Sequence, residues 1–275
     1  MIEQGVLTVA QNTDVDYARL AYLQCLSLKL TNPGLPYAIV TDAGTQSTFT
    51  DAMRSAFDHI VILNHDQAWQ DTWKQRNEGQ LFDITPFRET IKVEADLLFT
   101  GNISHWWPAL RRRDMVISRG CVDYRGQTGA SRRYRQLHDD NDLPDVYTGL
   151  MYWRRCPLAH QAFELVKQLH QHWDAVRQEL IMCQDPGSND VVFSVMARIV
   201  GEHLVTLPWD AFRMVHLKPA INGWDEAQPW HDQVSFEINA PAITVSGYQQ
   251  THPVHYHEKS WATDAMIQEY EHELG

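Results

Sequence analysis

The chain has 275 residues, 44% of them hydrophobic, and a formal net charge of −12. That apolar share is enough for a sizeable core, while the negative charge argues against a protein whose whole surface grips nucleic acid. No apolar run approaches the ~20 residues that span a bilayer, and the opening MIEQGVLTVAQN lacks the basic start and long apolar stretch of a secretory signal, so a cytoplasmic protein is expected. The four cysteines, Cys25, Cys121, Cys156 and Cys183, are scattered and form no Cys-x-x-Cys pair. They fit reduced thiols better than a disulfide framework or a zinc site.

In chain order, Val6 to Ala10 reads as a buried strand, followed by the polar, helix-capping loop Gln11-Asn12-Thr13-Asp14. Leucines at 20, 23, 26, 28 and 30 among polar residues predict an amphipathic helix from Tyr17 to Leu30, stopped by Asn32-Pro33-Gly34. Pro36 to Val40 is a second strand, Phe49 to Phe57 a helix and His59 to Leu63 a third strand. Strand and helix thus alternate, which favours a parallel sheet covered by helices, with ligands at the carboxyl ends of its strands. Further on, Thr90 to Val93 is a strand that resumes at Leu97-Leu98-Phe99 beyond Glu94-Ala95-Asp96, and Thr148 to Trp153 is another. Leu158 to Val176 and Asp190 to Ile199 read as helices. Short strands, a histidine-rich turn at Pro253 to His257 and a terminal helix from Thr263 close the chain. No linker or repeat divides it, so one domain over 1–275 is expected, with a donor-binding half to about residue 105 and acceptor-side segments from about 106.

Two segments carry the chemistry. In IKVEADLLF, Glu94 and Asp96 interrupt an apolar strand and point to the same side of an extended chain. Two like charges buried together call for a cation, and oxygen ligands suit Mg²⁺ or Mn²⁺ completed by a substrate diphosphate; a strand end whose acids face water is the alternative. In PVHYHEKSW, His255, His257 and Lys259 share one side if the segment is extended, which would place a metal ligand and a phosphate-binding ammonium close together; an exposed turn with ordinary histidines is the alternative.

With these residues in view, the sequence resembles the retaining glycosyltransferases of family eight, the group of glycogenin and bacterial galactosyltransferases. VAQNTDVDYARLAYLQCLSLKLTNPGLPYAIVTDAG is similar to that family's opening strand, uridine-contacting loop, helix and second strand ending in Asp. DITPFRETIKVEADLLFTGNI resembles the approach to its Asp-x-Asp metal motif, with Glu94 for the first Asp and Asp96 kept. YTGLMYW resembles its Asn-x-Gly-Val-Met strand through Gly149, and SNDVVFS its Asp-Gln-Asp stretch, with Asn189 at the Gln and Asp190 at the last Asp. VHYHEKSW is similar to the closing His-x-x-Gly-x-x-Lys-Pro-Trp, two residues short, without the Gly and with Ser260 for the Pro.

The resemblance implies an α/β GT-A fold with a central, mostly parallel sheet, and transfer of a sugar from a UDP-sugar with retention. Gln11, Asn12, Asp14, Tyr17 and Asp42 would line the nucleoside pocket, and Glu94, Asp96 and His255 would bind Mn²⁺ or Mg²⁺, with His257 as competitor. Lys259 and Arg88 would face the diphosphate, and Asn189 and Asp190 would orient sugar or acceptor. A sugar-nucleotide or phosphate-ester hydrolase, and a non-catalytic nucleotide-binding module, are the alternatives.

Eight arginines between Arg111 and Arg135, interspersed with Gly120, Gly126 and Gly129, read as a mobile loop. Through Arg132, Arg133 and Arg135 it would recruit a phosphate-bearing acceptor, DNA with a hydroxymethylated base being one example. The competing reading is a solvated loop balancing Asp139, Asp140 and Asp142. Of the ten tryptophans, Trp106, Trp107, Trp224, Trp230 and Trp261 are candidates for stacking on sugars or bases, with core packing as the commoner alternative.

Overall fold

Apolar residues in adjacent pairs, such as Val6-Leu7 and Leu150-Met151, give each central strand two buried faces, the pattern of a sheet covered on both sides. The computed structural model describes residues 2–68, 71, 74–129, 132–207 and 212–275. Its strands are β1 (Ile2–Val9), β2 (Tyr37–Thr41), β3 (His59–Ile62), β4 (Phe87–Glu94), β5 (Leu97–Leu98), β6 (Met115–Arg119), β7 (Val146–Arg154), β8 (Val215–His216), β9 (Phe236–Asn239), β10 (Ala242–Val245), β11 (Tyr248–Gln249) and β12 (Val254–His255). Six of them form the central sheet in the order β3-β2-β1-β4-β7-β6, in which β7 alone runs against the others.

The paired side chains separate onto two cores. Val6, Ile39, Ile91 and Leu150 meet the helices Tyr17–Thr31 and Asp264–Leu274 on one face. Leu7, Ala38, Val40 and Met151 meet the helices Pro157–Gln171 and Asn189–Val200 on the other. The first helix starts where Asp16 accepts the Arg19 N–H, and it stops at Asn32, two residues before Gly34 at φ +82°. Two small sheets complete the fold: the antiparallel β11-β10-β9, and β5-β12-β8, which bears on the site below.

The expected strands and helices are found with their ends shifted by a few residues, although the first helix is buried at every position from Leu20 to Leu28 and is not amphipathic; two further expectations are corrected, and the tryptophans take the packing alternative. Leu97-Leu98 does not continue β4; the chain turns at Ala95-Asp96, and these residues pair with β12 instead. The described residues of the arginine-rich segment are not loop throughout. They include β6, whose Met115, Val116 and Ile117 are buried in the core, and a turn in which Asp123 accepts the N–H groups of Arg125 and Gln127. The tryptophans at 106, 107, 230 and 261 are packed in the interior, and Trp224 lies stacked between Tyr124 and Trp230. All four cysteines are free thiols, and among the described residues no helix is long and apolar enough to cross a membrane.

Candidate active site

Strand order reverses at β1, which has β2 on one side and β4 on the other. A crevice opens at the carboxyl ends of the strands at such a switch point, and Glu94, the last residue of β4, stands at its edge. The turn that follows is pinned from below. Gln24, fully buried in the first helix, donates its amide to the carbonyls of Glu94 and Leu97, and its own carbonyl accepts the Tyr37 hydroxyl at 2.8 Å. The sequence needs a glutamine inside this apolar helix because the turn's carbonyls would otherwise be buried without a donor.

β12 brings the closing segment to this turn. His255 is in register with Leu97, and the Tyr256 N–H continues the ladder to the Asp96 carbonyl at 3.1 Å. His255 Nε2 therefore lies 3.0 Å from Asp96 Oδ2 and 3.2 Å from Glu94 Oε2. Lys259 Nζ reaches the same Asp96 oxygen at 2.6 Å. Burial alone would raise the pKa of Asp96, but the charges and hydrogen bonds of His255 and Lys259 outweigh it and hold the carboxyl well below its ordinary range. Burial opposes protonation of His255, yet Asp96 and then Glu94 shift it upward.

Glu94, Asp96 and His255 offer two carboxylate oxygens and an imidazole nitrogen within 4.8 Å of one another. Of the two histidines that share one side in the sequence, His255 joins this cluster. His257 takes a left-handed backbone at φ +61° and leaves it. Its ring packs against His216, and burial, followed by the nearby His255 and Lys259, pushes its pKa down to about 3. His216, not foreseen from the sequence, stacks on His255 with ring centroids 4.3 Å apart. Its two-residue strand, β8, is too short to give a periodic signal.

The crevice has a volume of about 490 Å³, and Gln11, Asp14, Tyr17, Asn189 and Lys259 line it together with the cluster. Tyr17 is half-buried, and burial first, with Asp96 and Glu94 adding to it, raises its pKa against the pull of Lys259. Asn12 and Asp42 stand behind the wall. Asn12 accepts the Ala18 N–H and so shapes the loop, while Asp42 accepts from the Gln11 amide at 3.0 Å and caps the next helix through Thr45. Burial works against ionisation of Asp42, but hydrogen bonds from Thr45 and Gln11 leave its pKa lowered. Gln11 also bonds Asp66 and Asn77, so its amide is held rigidly.

Lys92 and Glu78 also line the crevice, and sequence reasoning passed over both. Lys92, 1% exposed, donates to Glu78 at 2.8 Å and to the Thr148 carbonyl at 2.9 Å. The signal was a lysine inside an apolar strand, which is rare unless paired.

Asn189 presents its amide to the crevice, where His170 Nε2–H donates to its oxygen at 3.1 Å. Asp190 does not line the crevice. Its carboxylate accepts the Thr148 N–H and hydroxyl and an Arg135 guanidinium hydrogen, anchoring β7 from behind. Arg88 is corrected. It sits near the start of β4 beside Glu3, six residues and roughly 20 Å of extended chain from Glu94, so it cannot face the same diphosphate.

Arg132 and Arg135 are corrected as a free anion trap. Arg135, 3% exposed, spends its guanidinium on Asp145, Asp190 and the Val146 carbonyl. Arg132 bridges Asp139 and Asp145, each at 2.6 Å. Arg133 begins the short turn Arg133–Arg135 between them.

Gly149 on β7 lies close beneath the Glu94 carboxylate. A Cβ there would sit 3.1 Å from Glu94 Oε2 and 3.0 Å from the Met214 methyl. Gly149→Ala is therefore expected to displace the Glu94 carboxylate and weaken Mn²⁺ affinity about tenfold, a change of roughly 1.4 kcal/mol, with little loss of thermal stability. Unchanged Mn²⁺ affinity by calorimetry would show that Glu94 is not held by this contact.

The sequence matches no protein-family model and no curated protein. The fold has counterparts among solved structures. The galactosyltransferase LgtC in complex with donor and acceptor sugar analogs is similar at a TM-score of 0.57 and 10% identity, over 98% of this chain and 94% of that one. An active-site mutant of LgtC is similar at 0.55 and 10% identity, over 98% and 95%. The glycosyltransferase GlyE of Streptococcus pneumoniae TIGR4 is similar at 0.50 and 12% identity, over 76% of this chain and 46% of that one. The chain has the GT-A fold of these glycosyltransferases, as its sequence motifs imply.

Proposed function

We propose that this protein is a metal-dependent glycosyltransferase that moves a sugar from a UDP-sugar to a hydroxyl-bearing acceptor with retention of anomeric configuration. The observation that carries the reading is the convergence of Glu94, Asp96, His255 and Lys259 at the mouth of the switch-point crevice, from segments about 160 residues apart. The solved structure of similar fold that holds donor and acceptor sugar analogs supports it.

The donor set fits a divalent cation. Two hard carboxylate oxygens suit Mg²⁺ or Mn²⁺, and the imidazole nitrogen favours Mn²⁺. When bound, such an ion supplies Lewis acidity that stabilises charge on the leaving diphosphate. The protein's own groups do the rest. Lys259 brings an ammonium to the same place, and a preorganised charge in a half-buried site acts more strongly than one in water. Asp14 and Tyr17 border the part of the crevice assigned to the nucleoside, with Gln11 held firm behind them by Asp42 and Asn77. Asn189 offers an amide, not a base, toward the assigned sugar region. Retention by front-face attack, with the leaving phosphate taking the acceptor proton, needs no strong protein base. Asp190 and Arg135 act as positioning residues through Thr148.

The test is product analysis with a panel of UDP-sugars, Mn²⁺ and carbohydrate or nucleoside acceptors, read by mass spectrometry and by NMR of the anomeric centre. An acceptor-dependent glycoside with the donor's configuration is the expected result. Free sugar as sole product, whatever acceptor is present, would identify a hydrolase. Nucleotide binding without turnover would identify a binding module.

A further inference from the structure

Asp96 Oδ2 is shared by two nitrogens at once, the Lys259 ammonium at 2.6 Å and His255 Nε2 at 3.0 Å. The Asp96 side chain is 6% exposed and that of Lys259 28%, so water screens the pair only in part. Lys259 is also tied back by donating to the His257 carbonyl at 2.7 Å. Its backbone is fixed as well, in a short turn, Lys259–Trp261, that ends on the buried Trp261 and is capped by the Glu258 side chain. The ammonium can thus leave Asp96 by rotation of its own side chain, without moving the segment.

We infer that Lys259 is the residue that makes this site select the metal–nucleotide complex over the bare metal, because in the nucleotide-free protein its ammonium occupies the carboxylate oxygen that the ion needs. The inference rests on the proposed metal and donor site. Mg²⁺, for example, bonds carboxylate oxygen at about 2.0–2.1 Å, so an ion and an ammonium on one oxygen would stand a few ångströms apart and repel strongly in a partly buried site. Bare Mn²⁺ must therefore displace Lys259 from Asp96 without bringing an anion to replace it. A nucleoside diphosphate brings its own negative charge, toward which Lys259 can turn while Asp96 is released to the ion. The same lysine then opposes metal binding in the absence of nucleotide and favours nucleotide binding in the presence of metal. By linkage, UDP and Mn²⁺ must each tighten the other's binding by the same factor.

This gives effects of opposite sign in one variant. Lys259→Met, which keeps the length and apolar stem of the side chain, is expected to bind Mn²⁺ at least about tenfold more tightly than the parent without nucleotide, and UDP at least about tenfold more weakly with saturating Mn²⁺. Lys259→Arg keeps the charge and should retain the parent's weak binding of bare Mn²⁺. Calorimetry, together with the electron-paramagnetic-resonance signal of free Mn²⁺, reads both affinities without any turnover. If Lys259→Met binds bare Mn²⁺ no more tightly than the parent, the inference is overturned while the proposed function stands. If the parent binds no Mn²⁺ even with UDP present, both are overturned.

Discussion

Asp96→Asn is expected to eliminate Mn²⁺-dependent binding of UDP and to lower sugar transfer about 10³-fold or more, equivalent to several kcal/mol of lost charge stabilisation. The size follows from the position of one oxygen. Asp96 Oδ2 is the common partner of His255 and Lys259, and with Glu94 it forms the anionic side of the cluster. Asparagine preserves the shape of the side chain, so the variant should remain folded and the loss should be one of binding. Alanine is a harsher change. It would leave Lys259 and the buried His255 facing an empty space, and removing one partner of a buried ion pair costs about 3–5 kcal/mol. Glu94, 34% exposed in its side chain, is more forgiving. Glu94→Asp keeps a carboxylate and should retain more metal affinity than Glu94→Ala. Titration of UDP in the presence of Mn²⁺ checks all four variants. Parent-like affinity in Asp96→Asn would remove Asp96 from the metal site.

Arg135→Ala is expected to destabilise the protein by about 3–5 kcal/mol and to lower the melting temperature by roughly 10 °C. Arg135 closes a chain of contacts behind the crevice, in which it holds Asp145 and Asp190, and Asp190 in turn holds the Thr148 backbone and hydroxyl. Its guanidinium also lies 4.2 Å from the centroid of the Tyr147 ring, adding a cation–π contact that alanine cannot replace. Arg132→Ala should cost no more than about 1 kcal/mol, because its side chain is 47% exposed and its ion pairs are screened by water. Thermal denaturation of the two variants side by side separates this account from a view of the arginines as interchangeable surface charge. Equal, small effects at both positions would contradict it.

The contrast between these two sites shows what a sequence makes legible. Glu94 and Asp96 are visible because paired carboxylates inside an apolar strand have a cost that must be offset, and His255 and Lys259 because they alternate along a short extended segment. The alternating strands and helices of the first sixty-odd residues are equally visible, since β1 to β3 and the helix Tyr17–Thr31 carry clear apolar patterns. The partners of Arg135 are not visible in this way. Asp190 lies 55 positions away on another helix, and no local period links the two. Clustering of arginines therefore read as a site when the buried member of the cluster, Arg135, is an internal strut. Arg88 misled for a related reason, because nearness in sequence to the metal strand put it on β4 but at the wrong end. Lys92 and Glu78 were missed because their pairing joins a strand to the helical segment Lys74–Gln80, which has no regular apolar face. His216 escaped because a two-residue strand is defined only by the neighbours that pair with it.

The central claim is that the Glu94–Asp96–His255 cluster and Lys259 together receive a metal-bound nucleoside diphosphate. It is tested most directly by calorimetric titration of UDP into the parent protein, once with Mn²⁺ and once with the metal removed by chelator. The account predicts binding with Mn²⁺ that weakens at least about 100-fold without it, a difference near 2.7 kcal/mol. Equal UDP affinity in the two conditions, or no binding in either, would contradict it.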